Sequence, residues 1–292
     1  MESIHIKAHA KINIALDVVG KRADGYHELK TVMQTLRLHD NLHIKKVREK
    51  GVRLVCNKDG LPVDERNLAH CAADYMLKAF GLDEGVSIEL EKNIPISAGL
   101  AGGSSDCAAV LVGMRDLFGL PLSLVEMAEI GKQFGADVPY CIMGGTMLAE
   151  GIGEKLTPLP PLPKAYVLLA KPPFDVSTQK VFSNFCLESC AGDTNFDILV
   201  DSIENGNLAV ICSQMKNMLE SVTIGWHGEI AELKNEMLAN GAVGSLMSGS
   251  GPTVFGLFED ESELAAADLA VKMKFPNMEI IETEIFNPNG VN

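Results

Sequence analysis

Apolar and polar residues alternate strictly at the start of the chain. From 4 to 18 every even position is apolar, whereas most odd positions are polar, and Lys11 and Asn13 are among the polar ones. A period of two predicts a β-strand with one face in the core. The run is about three times the usual strand length of 5–6 residues, so we expect a bend or bulge within it.

Shorter patterns predict the remaining elements. Further strands are predicted at 32–38 and 42–44 around an Asp40-Asn41 turn, at 86–90, 166–170 and 279–285, and as a pair within 244–258 around a glycine-rich turn. Helices are predicted at 65–80, 207–220, 228–240 and 261–273, and the first of these has Asp64 as its cap. A capping box at 123–126 opens another helix that ends near 134. Two more helices are predicted to begin after the serines at 104–105 and after 177–178. Strands and helices that alternate in pairs indicate an α+β fold.

Composition narrows the possible partners. The 292 residues are 47% hydrophobic and 22% charged, with a net charge of −14, as in a soluble globular protein. Such an acidic chain argues against nucleic acid or an anionic membrane as a partner. Seven scattered cysteines without a Cys-x-x-Cys pair indicate reduced thiols, and neither a signal sequence nor a membrane-spanning run is present. We therefore expect a cytoplasmic protein.

A loop of small residues, PISAGLAGGSSDCAA at 95–109, joins a predicted strand to a predicted helix. Its glycines let backbone N–H groups approach a ligand closely, and the helix dipole favours an anion at the helix start. The alternative is an ordinary connection in which Ser104 or Ser105 caps the helix. The loop matches neither the P-loop nor the Gly-x-Gly-x-x-Gly pattern, so any phosphate site here is of another kind.

Two further places carry candidate chemistry, and each has two interpretations. Tyr26 and His27 follow the Asp24-Gly25 turn, where they either bind a ligand or cover the edge of the core. Asp137, in GADVP, is either the N-cap of the next helical turn or a functional carboxylate. Both questions stay open on the residues alone.

Four prolines within 157–163 mark the best domain boundary. We predict an amino-terminal domain at 1–157, a linker at 158–163 and a carboxy-terminal domain at 164–292. No internal repeat is present.

Three stretches together resemble a known superfamily. AKIN at 10–13, the glycine loop at 95–109 and GSLMSGSGPTVF at 244–255 are similar, in order and spacing, to the three motifs of the GHMP kinases. The DGYH and GGSSD elements separate this chain from galactose, homoserine and mevalonate kinases. They place it nearest the branch that phosphorylates a diphosphocytidyl methylerythritol in non-mevalonate isoprenoid biosynthesis.

The resemblance implies transfer of the ATP γ-phosphoryl group to the 2-hydroxyl of the methylerythritol moiety. It implies Asp137 as the general base and Lys11 as its partner, since a nearby cation favours an ionised carboxylate. A hydroxyl of Ser104 or Ser105, and in the first place Ser105, is expected to meet Mg²⁺. Residues expected to bind ATP are Pro95, Ser97, Ala98, Gly99, Leu100, Ala101, Gly102, Gly103, Ser104 and Ser105, with Asn67 and Lys92 near adenine.

The diphosphocytidyl substrate is expected to bind Asn13, Tyr26, His27, Thr178 and Phe182. The implied fold is a two-domain GHMP kinase fold with a ribosomal-protein-S5-like amino-terminal domain, a ferredoxin-like carboxy-terminal domain and the site between them. The implied partner is this small molecule only, for a monomer or weak homodimer. Two departures stand out: Ala101 replaces a frequent glycine, which excludes a glycine-only conformation there, and Cys107 replaces a frequent alanine.

Two alternatives compete with this interpretation. A relative of diphosphomevalonate decarboxylase would share the scaffold but release CO₂, and the DGYH element argues against it. A non-catalytic relative would bind ligands without chemistry, and the presence of both Lys11 and Asp137 argues against that.

Overall fold

The computed structural model describes residues 1–187 and 194–288. They form two compact units that do not follow the chain order. The first unit comprises Met1–Ala10, Leu38–Ile96 and Ala101–Met143, and the second comprises Lys11–Arg37, Ser97–Leu100 and the described residues from Gly144 onwards. Two long strands and the glycine loop therefore contribute residues to both units.

The strands are β1 (Ser3–Lys21), β2 (His27–Val47), β3 (Val52–Cys56), β4 (Gly85–Glu91), β5 (Thr146–Gly151), β6 (Lys155–Pro158), β7 (Tyr166–Lys171), β8 (Lys216–Asn217), β9 (Gly244–Met247), β10 (Val254–Phe258) and β11 (Glu279–Glu284). The helices are α1 (Leu68–Ala79), α2 (Gly102–Phe118), α3 (Leu124–Gly131), α4 (Val138–Met143), α5 (Thr178–Asn184), α6 (Phe196–Glu204), α7 (Leu208–Ser213), α8 (Glu220–Trp226), α9 (Glu229–Ala239) and α10 (Glu261–Lys274).

The first unit packs helices on one face of a sheet. The second half of β2 pairs antiparallel with β4, which pairs parallel with β3. Helix α2 lies so close to this sheet that a Cβ on Gly113 would stand 2.8 Å from Ile44. Helices α1, α3 and α4 surround α2. The glycine loop therefore leads into the central helix of a well-packed core.

The second unit contains an antiparallel sheet in the order β11-β7-β10-β9. Helices α9 and α10 pack on it, and its core includes Leu168, Met247 and Phe258. The first half of β2 pairs with β5, and the short β8 pairs parallel with β1 at Ala15 and Leu16. The glycine-rich turn between β9 and β10 is thus attached to a rigid sheet.

Strand β1 confirms the alternating pattern only in part. It runs unbroken for 19 residues, and its side chains are buried on both faces from Ala10 to Val18. Lys11 is 4% exposed, Asn13 3% and Asp17 2%, so the polar face in this half is an interior one. A buried polar side chain needs hydrogen-bond partners, so we expect these three residues to belong to hydrogen-bond networks inside the protein.

Strand β2 contradicts the predicted Asp40-Asn41 turn. The chain passes through Asp40 as one continuous strand. The Asp40 carboxylate is buried and accepts hydrogen bonds from the backbone amides of Asn93 (2.5 Å) and Ile94 (2.8 Å). The Asp40-Asn41 pair suggests a turn, but the Asp40 side chain accepts hydrogen bonds from residues more than 50 positions away. The local sequence does not reveal these partners.

Three helix predictions also need correction. Helix α1 begins at Leu68 with Asn67 as its N-cap, because Asp64 instead holds Arg66 in a turn. Helix α3 keeps its capping box at Ser123 but ends at Gly131. The predicted helix at 207–220 is wrong: α7 ends at Ser213, and β8 intervenes before α8.

The proline-rich segment does not separate the two compact units. Residues 158–163 lie within the second unit, and the units divide inside β1 and β2. The predicted domain limits stay a prediction.

Among the described residues, no helix is long and apolar enough to cross a membrane. The cysteines in the described ranges carry thiols, as expected, and Cys190 lies outside those ranges.

Candidate active site

Lys11 is a buried cation of the second unit. Its Nζ donates to Asn13 Oδ1 (2.7 Å) and to the carbonyl of Gly99 (3.2 Å). Asn13 Nδ2 donates to Thr31 Oγ1 (2.9 Å), and the Thr31 hydroxyl donates to the carbonyl of Ala15 (2.5 Å). These contacts fix the position of a buried ammonium on β1.

The glycine loop approaches the β9–β10 turn closely at Gly99. Its carbonyl also accepts from Ser248 Oγ (2.9 Å). Gly99 has φ +76°, and a Cβ there would stand 2.2 Å from the carbonyl oxygen of Ser248. Only glycine fits, since both the positive φ and the backbone contact exclude a side chain.

The β9–β10 turn also borders Lys11. A Cβ on Gly249 would lie 3.6 Å from Lys11 Nζ and 3.5 Å from Asn13 Oδ1. The Ser250 hydroxyl lies 2.8 Å from Thr178 Oγ1 at the start of α5. The second unit thus brings together Lys11, Asn13, Gly99 and Thr178 around one turn.

In the first unit, α2 begins at Gly102, before both serines. The alternative in which Ser104 or Ser105 is the N-cap is therefore wrong. The N-cap is Ala101, which makes no side-chain capping bond, so the first amides of the helix are open to an external acceptor. Ser105 Oγ is buried and donates to the carbonyl of His9 (2.6 Å), whereas Gly103 is exposed and Ser104 half-buried.

Ala101 adopts the left-handed conformation, with φ 58° and ψ 24°. Alanine tolerates this conformation at a cost of roughly 1–2 kcal/mol. We expect Ala101→Gly to stabilise the protein by up to about 1 kcal/mol in chemical denaturation, because glycine relieves that strain.

Gly119 provides the matched control at the other end of α2. It has φ 65°, and a Cβ there meets no atom within 4 Å, so Gly119→Ala changes the backbone preference alone. We expect Gly119→Ala to destabilise by about 1 kcal/mol. Equal signs for the two variants would contradict this account.

Asp137 lies in the turn that opens α4. It is half-buried, and its backbone carbonyl accepts from the amide of Cys141 (2.9 Å). The same loop approaches the start of α2, since a Cβ on Gly135 would stand 4.0 Å from Ser104 Oγ. The first unit thus brings the GADVP loop to the beginning of the glycine-loop helix.

Lys92 sits beneath that helix start in a buried cluster. Its ammonium pairs with Asp40 and with Asp106 Oδ2 (2.7 Å), and it is 4% exposed. Burial raises the pKa of Asp106 to about 8, although the charge of Lys92 opposes that shift. Burial alone would lower the pKa of Lys92, but the charges of Asp106 and Asp40 outweigh it and raise that pKa.

The Lys92 cluster supports the glycine loop from below. A Cβ on Gly102 would stand 3.2 Å from Lys92 Nζ. Asn67 is likewise occupied: its Oδ1 accepts from Ala69 N (2.9 Å) and its Nδ2 donates to Pro62 O (2.8 Å). These contacts favour structural roles for Lys92 and Asn67, and their expected contact with adenine stays a prediction.

Aromatic side chains gather near the DGYH turn. His27 stacks on Phe182 with ring centroids 5.3 Å apart, and Phe185 meets His27 edge-on at 6.1 Å. Burial, with a smaller contribution from the charge of Lys21, lowers the pKa of His27. Tyr26 is 62% exposed. His27, rather than Tyr26, is therefore the ring that lies against Phe182.

Comparison with known proteins identifies the family. The GHMP kinases N terminal domain family matches residues 67–145, and the GHMP kinases C terminal family matches residues 199–277. The 4-diphosphocytidyl-2-C-methyl-D-erythritol kinase of Acetivibrio thermocellus is 49% identical over 91% of this chain and 94% of its own. That of Clostridium beijerinckii is 48% identical over 95% of this chain and 99% of its own. The chain belongs to the 4-diphosphocytidyl-2-C-methyl-D-erythritol kinases, a branch of the GHMP kinases.

Solved structures agree with that membership. A crystal structure of 4-(cytidine 5'-diphospho)-2C-methyl-D-erythritol kinase is 33% identical, with a TM-score of 0.83 over 97% of this chain and 99% of that one. A homoserine kinase from Cytophaga hutchinsonii is 21% identical with a TM-score of 0.80, covering 98% of this chain and 95% of that one, and it shares the fold. The two-domain α+β GHMP kinase fold is confirmed.

Sequence patterns missed several residues that hold the candidate site in place. Asp40 and Asp106 lie under the glycine loop, and Thr31, Asn217 and Ser248 hold Lys11 or the β9–β10 turn. Ser248 lies within the motif at 244–255 and Asp106 lies within GGSSD, so the motifs could have pointed to both residues. Asp40 gave only a false turn signal and Asn217 gave no signal of its role, because their partners are distant in the chain.

Proposed function

We propose that this kinase transfers the γ-phosphoryl group of ATP to the 2-hydroxyl of 4-diphosphocytidyl-2-C-methyl-D-erythritol, giving the 2-phosphate and ADP in non-mevalonate isoprenoid biosynthesis. The observation that carries the proposal is the buried Lys11 network on the AKIN strand, in a chain 49% identical to a kinase of that name. The proposal places the enzyme in the cytoplasm, where ATP is available and thiols stay reduced.

Asp137 is proposed as the general base for the 2-hydroxyl. Phosphoryl transfer depends on positioning and on charge stabilisation more than on covalent chemistry by the protein. A half-buried carboxylate at the end of a loop can accept the hydroxyl proton. Lys11 is proposed to stabilise negative charge on the oxygens in transfer, because its buried ammonium is held in position by Asn13 and the carbonyl of Gly99.

The start of α2 fits the phosphates of ATP. Ala101 provides no side-chain cap, and the amides of Gly102, Gly103 and Ser104 point out of the helix end, where the dipole favours anions. The loop residues 95–105 are proposed to bind the nucleotide, with Pro95, Ser97, Ala98 and Leu100 shaping it.

The residues present also fit Mg²⁺ held largely by phosphate. Within residues 1–187 and 194–288 no group of three or more His, Cys, Asp or Glu side chains is arranged to hold a metal ion. Mg²⁺ often uses few protein oxygens together with substrate phosphates, and it neutralises phosphate charge when bound. Of the two serines, Ser104 is the better candidate for a Mg²⁺ ligand, because the Ser105 hydroxyl is buried and donates to the carbonyl of His9.

The cytosine of the substrate is proposed to bind between Tyr26 and the His27–Phe182 pair, with Asn13 and Thr178 as further contacts. Base stacking on an aromatic ring contributes about 1–3 kcal/mol, so Phe182→Ala should raise KM for the cytidyl substrate roughly 5- to 150-fold. The KM for ATP should hardly change. Steady-state kinetics with each substrate varied in turn measures both.

Phe174 offers a matched control for this substitution. It stacks on His227 with centroids 4.0 Å apart, also within the second unit. Phe174→Ala removes a comparable aromatic pair and should leave KM for the cytidyl substrate within about twofold. If Phe182→Ala raised the KM for ATP instead, the two pockets would have been assigned the wrong way round.

A coupled assay tests the proposed function directly. Purified enzyme with ATP, Mg²⁺ and the diphosphocytidyl substrate should release ADP and form the 2-phosphate, observed by ³¹P NMR. ADP release accompanied by CO₂ from diphosphomevalonate would instead support the decarboxylase alternative. Binding of both ligands without ADP release would support the non-catalytic one.

A further inference from the structure

The segment between α7 and α8 is anchored to the strand that carries Lys11. Strand β8 pairs with β1 so that Lys216 faces Ala15 and Asn217 faces Leu16. The amide of Met218 then donates to the carbonyl of Leu16 (2.9 Å). This segment therefore takes its position from β1, four residues beyond Lys11.

Both the nitrogen and the oxygen of the Asn217 side-chain amide make hydrogen bonds to backbone groups. Nδ2 donates to the carbonyls of Met247 (2.8 Å) and Gly249 (2.7 Å), and Oδ1 accepts from the amide of Leu219 (3.0 Å). The side chain is 3% exposed. A buried amide that satisfies two carbonyls of one turn fixes the shape of that turn, because losing it leaves both carbonyls without a partner.

Two more side chains from α8 hold the same turn. Glu220 Oε1 accepts from the amide of Met247 (2.9 Å), while its Oε2 accepts from Lys234 Nζ (2.6 Å). Thr223, which is fully buried, donates its hydroxyl to the carbonyl of Ser250 (3.2 Å). Asn217, Glu220 and Thr223 thus contact residues 247, 249 and 250 from one side; we call these three residues the α8 clamp.

The other side of the turn meets the proposed catalytic lysine. A Cβ on Gly249 would stand 3.6 Å from Lys11 Nζ and 3.4 Å from the carbonyl of Gly99. Gly249 and Gly251 have φ values of +57° and +82°, a conformation with little intrinsic preference to hold the turn in place. The turn has two backbone hydrogen bonds of its own, from the amide of Ser248 to the carbonyl of Thr253 and from the amide of Gly251 to the carbonyl of Ser248 (both 2.9 Å), and the clamp adds a restraint from outside it.

We propose that Asn217, Glu220 and Thr223 are positioning residues for phosphoryl transfer: they hold the β9–β10 turn, and through it the carbonyl of Gly99 and the ammonium of Lys11. The inference rests on the proposed function, since it assigns Lys11 to the reaction. A small misplacement of a catalytic group lowers the rate steeply, so the clamp acts on kcat more than on ligand affinity.

Asn217→Asp is the sharpest test, because it keeps the shape and replaces the donor amide with a carboxylate facing two carbonyl oxygens. We expect kcat to fall roughly 10- to 100-fold. Both KM values should change less than kcat and stay within about threefold, since Asn217 itself is not among the residues proposed to bind either ligand. Thr223→Val, which removes one hydroxyl and keeps the side-chain volume, is the milder variant, and we expect kcat to fall roughly threefold to tenfold.

Asn207→Ala serves as the control for general destabilisation. Asn207 caps α7 by accepting from the amide of Val210 (3.1 Å), and it is exposed and is not one of the residues described above as contacting the turn. Its loss should lower the melting temperature and leave kcat unchanged. Thr223→Ser, which keeps the hydroxyl, should restore most of the rate lost in Thr223→Val.

A second readout does not depend on activity. The backbone amide signals of Gly249 and Gly251 in ¹⁵N-labelled protein should shift in Asn217→Asp and Thr223→Val and not in Asn207→Ala. Shifted signals with an unchanged kcat in both clamp variants would overturn the proposal. So would a fall in kcat in Asn207→Ala as large as the fall in the clamp variants, because the loss would then follow from general destabilisation. Failure of the proposed function itself is distinguishable, because the unsubstituted enzyme would then not phosphorylate the cytidyl substrate.

Discussion

We expect the Asp137→Asn enzyme to turn over roughly 10²–10⁴ times more slowly than the unsubstituted enzyme, because the amide keeps the shape of the carboxylate but cannot accept the hydroxyl proton. Substrate affinity should survive, since the change removes proton transfer rather than binding. Steady-state kinetics for kcat and calorimetry for the two ligands measure these quantities separately.

Asp260→Asn provides the matched control for this substitution. Asp260 caps α10 through the amide of Ser262 (2.7 Å), and asparagine caps helices as well as aspartate does. The Asp260→Asn enzyme should therefore keep normal activity and stability. Normal turnover in Asp137→Asn would exclude Asp137 as the base.

Lys11→Met tests whether Lys11 and Asp137 act on the same step. The single change should also be severe, because the methionine keeps volume and removes the charge that Asn13 and Gly99 hold in place. Groups that act as a unit are strongly non-additive, so the double variant should lose much less than the product of the two single losses. Simple additivity would mean that the two residues serve independent steps.

The second large effect concerns stability. Lys92→Met should lower the free energy of unfolding by about 3–5 kcal/mol, because it leaves the buried carboxylates of Asp40 and Asp106 without their cation. That loss is a large share of the roughly 5–15 kcal/mol that stabilises a typical protein. Chemical denaturation, followed by circular dichroism, measures it.

Lys78→Met is the control, because Lys78 forms an exposed ion pair with Asp74 (2.7 Å) on α1. Its loss should cost no more than about 0.5 kcal/mol. Equal destabilisation by the two variants would show that the Lys92 cluster contributes no more than a surface pair. In that case the cluster would fill the space beneath Gly102 without stabilising the fold through its charges.

Local patterns alone predicted much of the framework. The alternation at the start of β1, the capping box at Ser123 and the helix that follows the glycine loop all appear in the structure. The residues of the three motifs also led to the family that the comparisons confirm. These features depend on neighbours within a few residues, which the periodicity of side chains and the chemistry of caps record directly.

Other features arise only in the tertiary structure. Asp40 looked like a turn residue, yet it pairs with Lys92, 52 positions later, inside a continuous strand. Asn217 looked like a position within a long helix, yet its amide bonds to carbonyls 30 and 32 positions away. In both cases a buried polar group required a distant partner, and satisfying it outweighed the local preference of the chain.

The chain by itself therefore determined many of its elements and its family, because the residues that carry them are adjacent in the sequence. Only the tertiary structure decided that the polar side of β1 is buried at Lys11 and Asn13, and that the Lys92 cluster and the α8 clamp support the loops. The reason is physical: a sequence pattern shows which residues are polar, but the partner that allows a polar group to be buried is chosen by the packing of the whole chain.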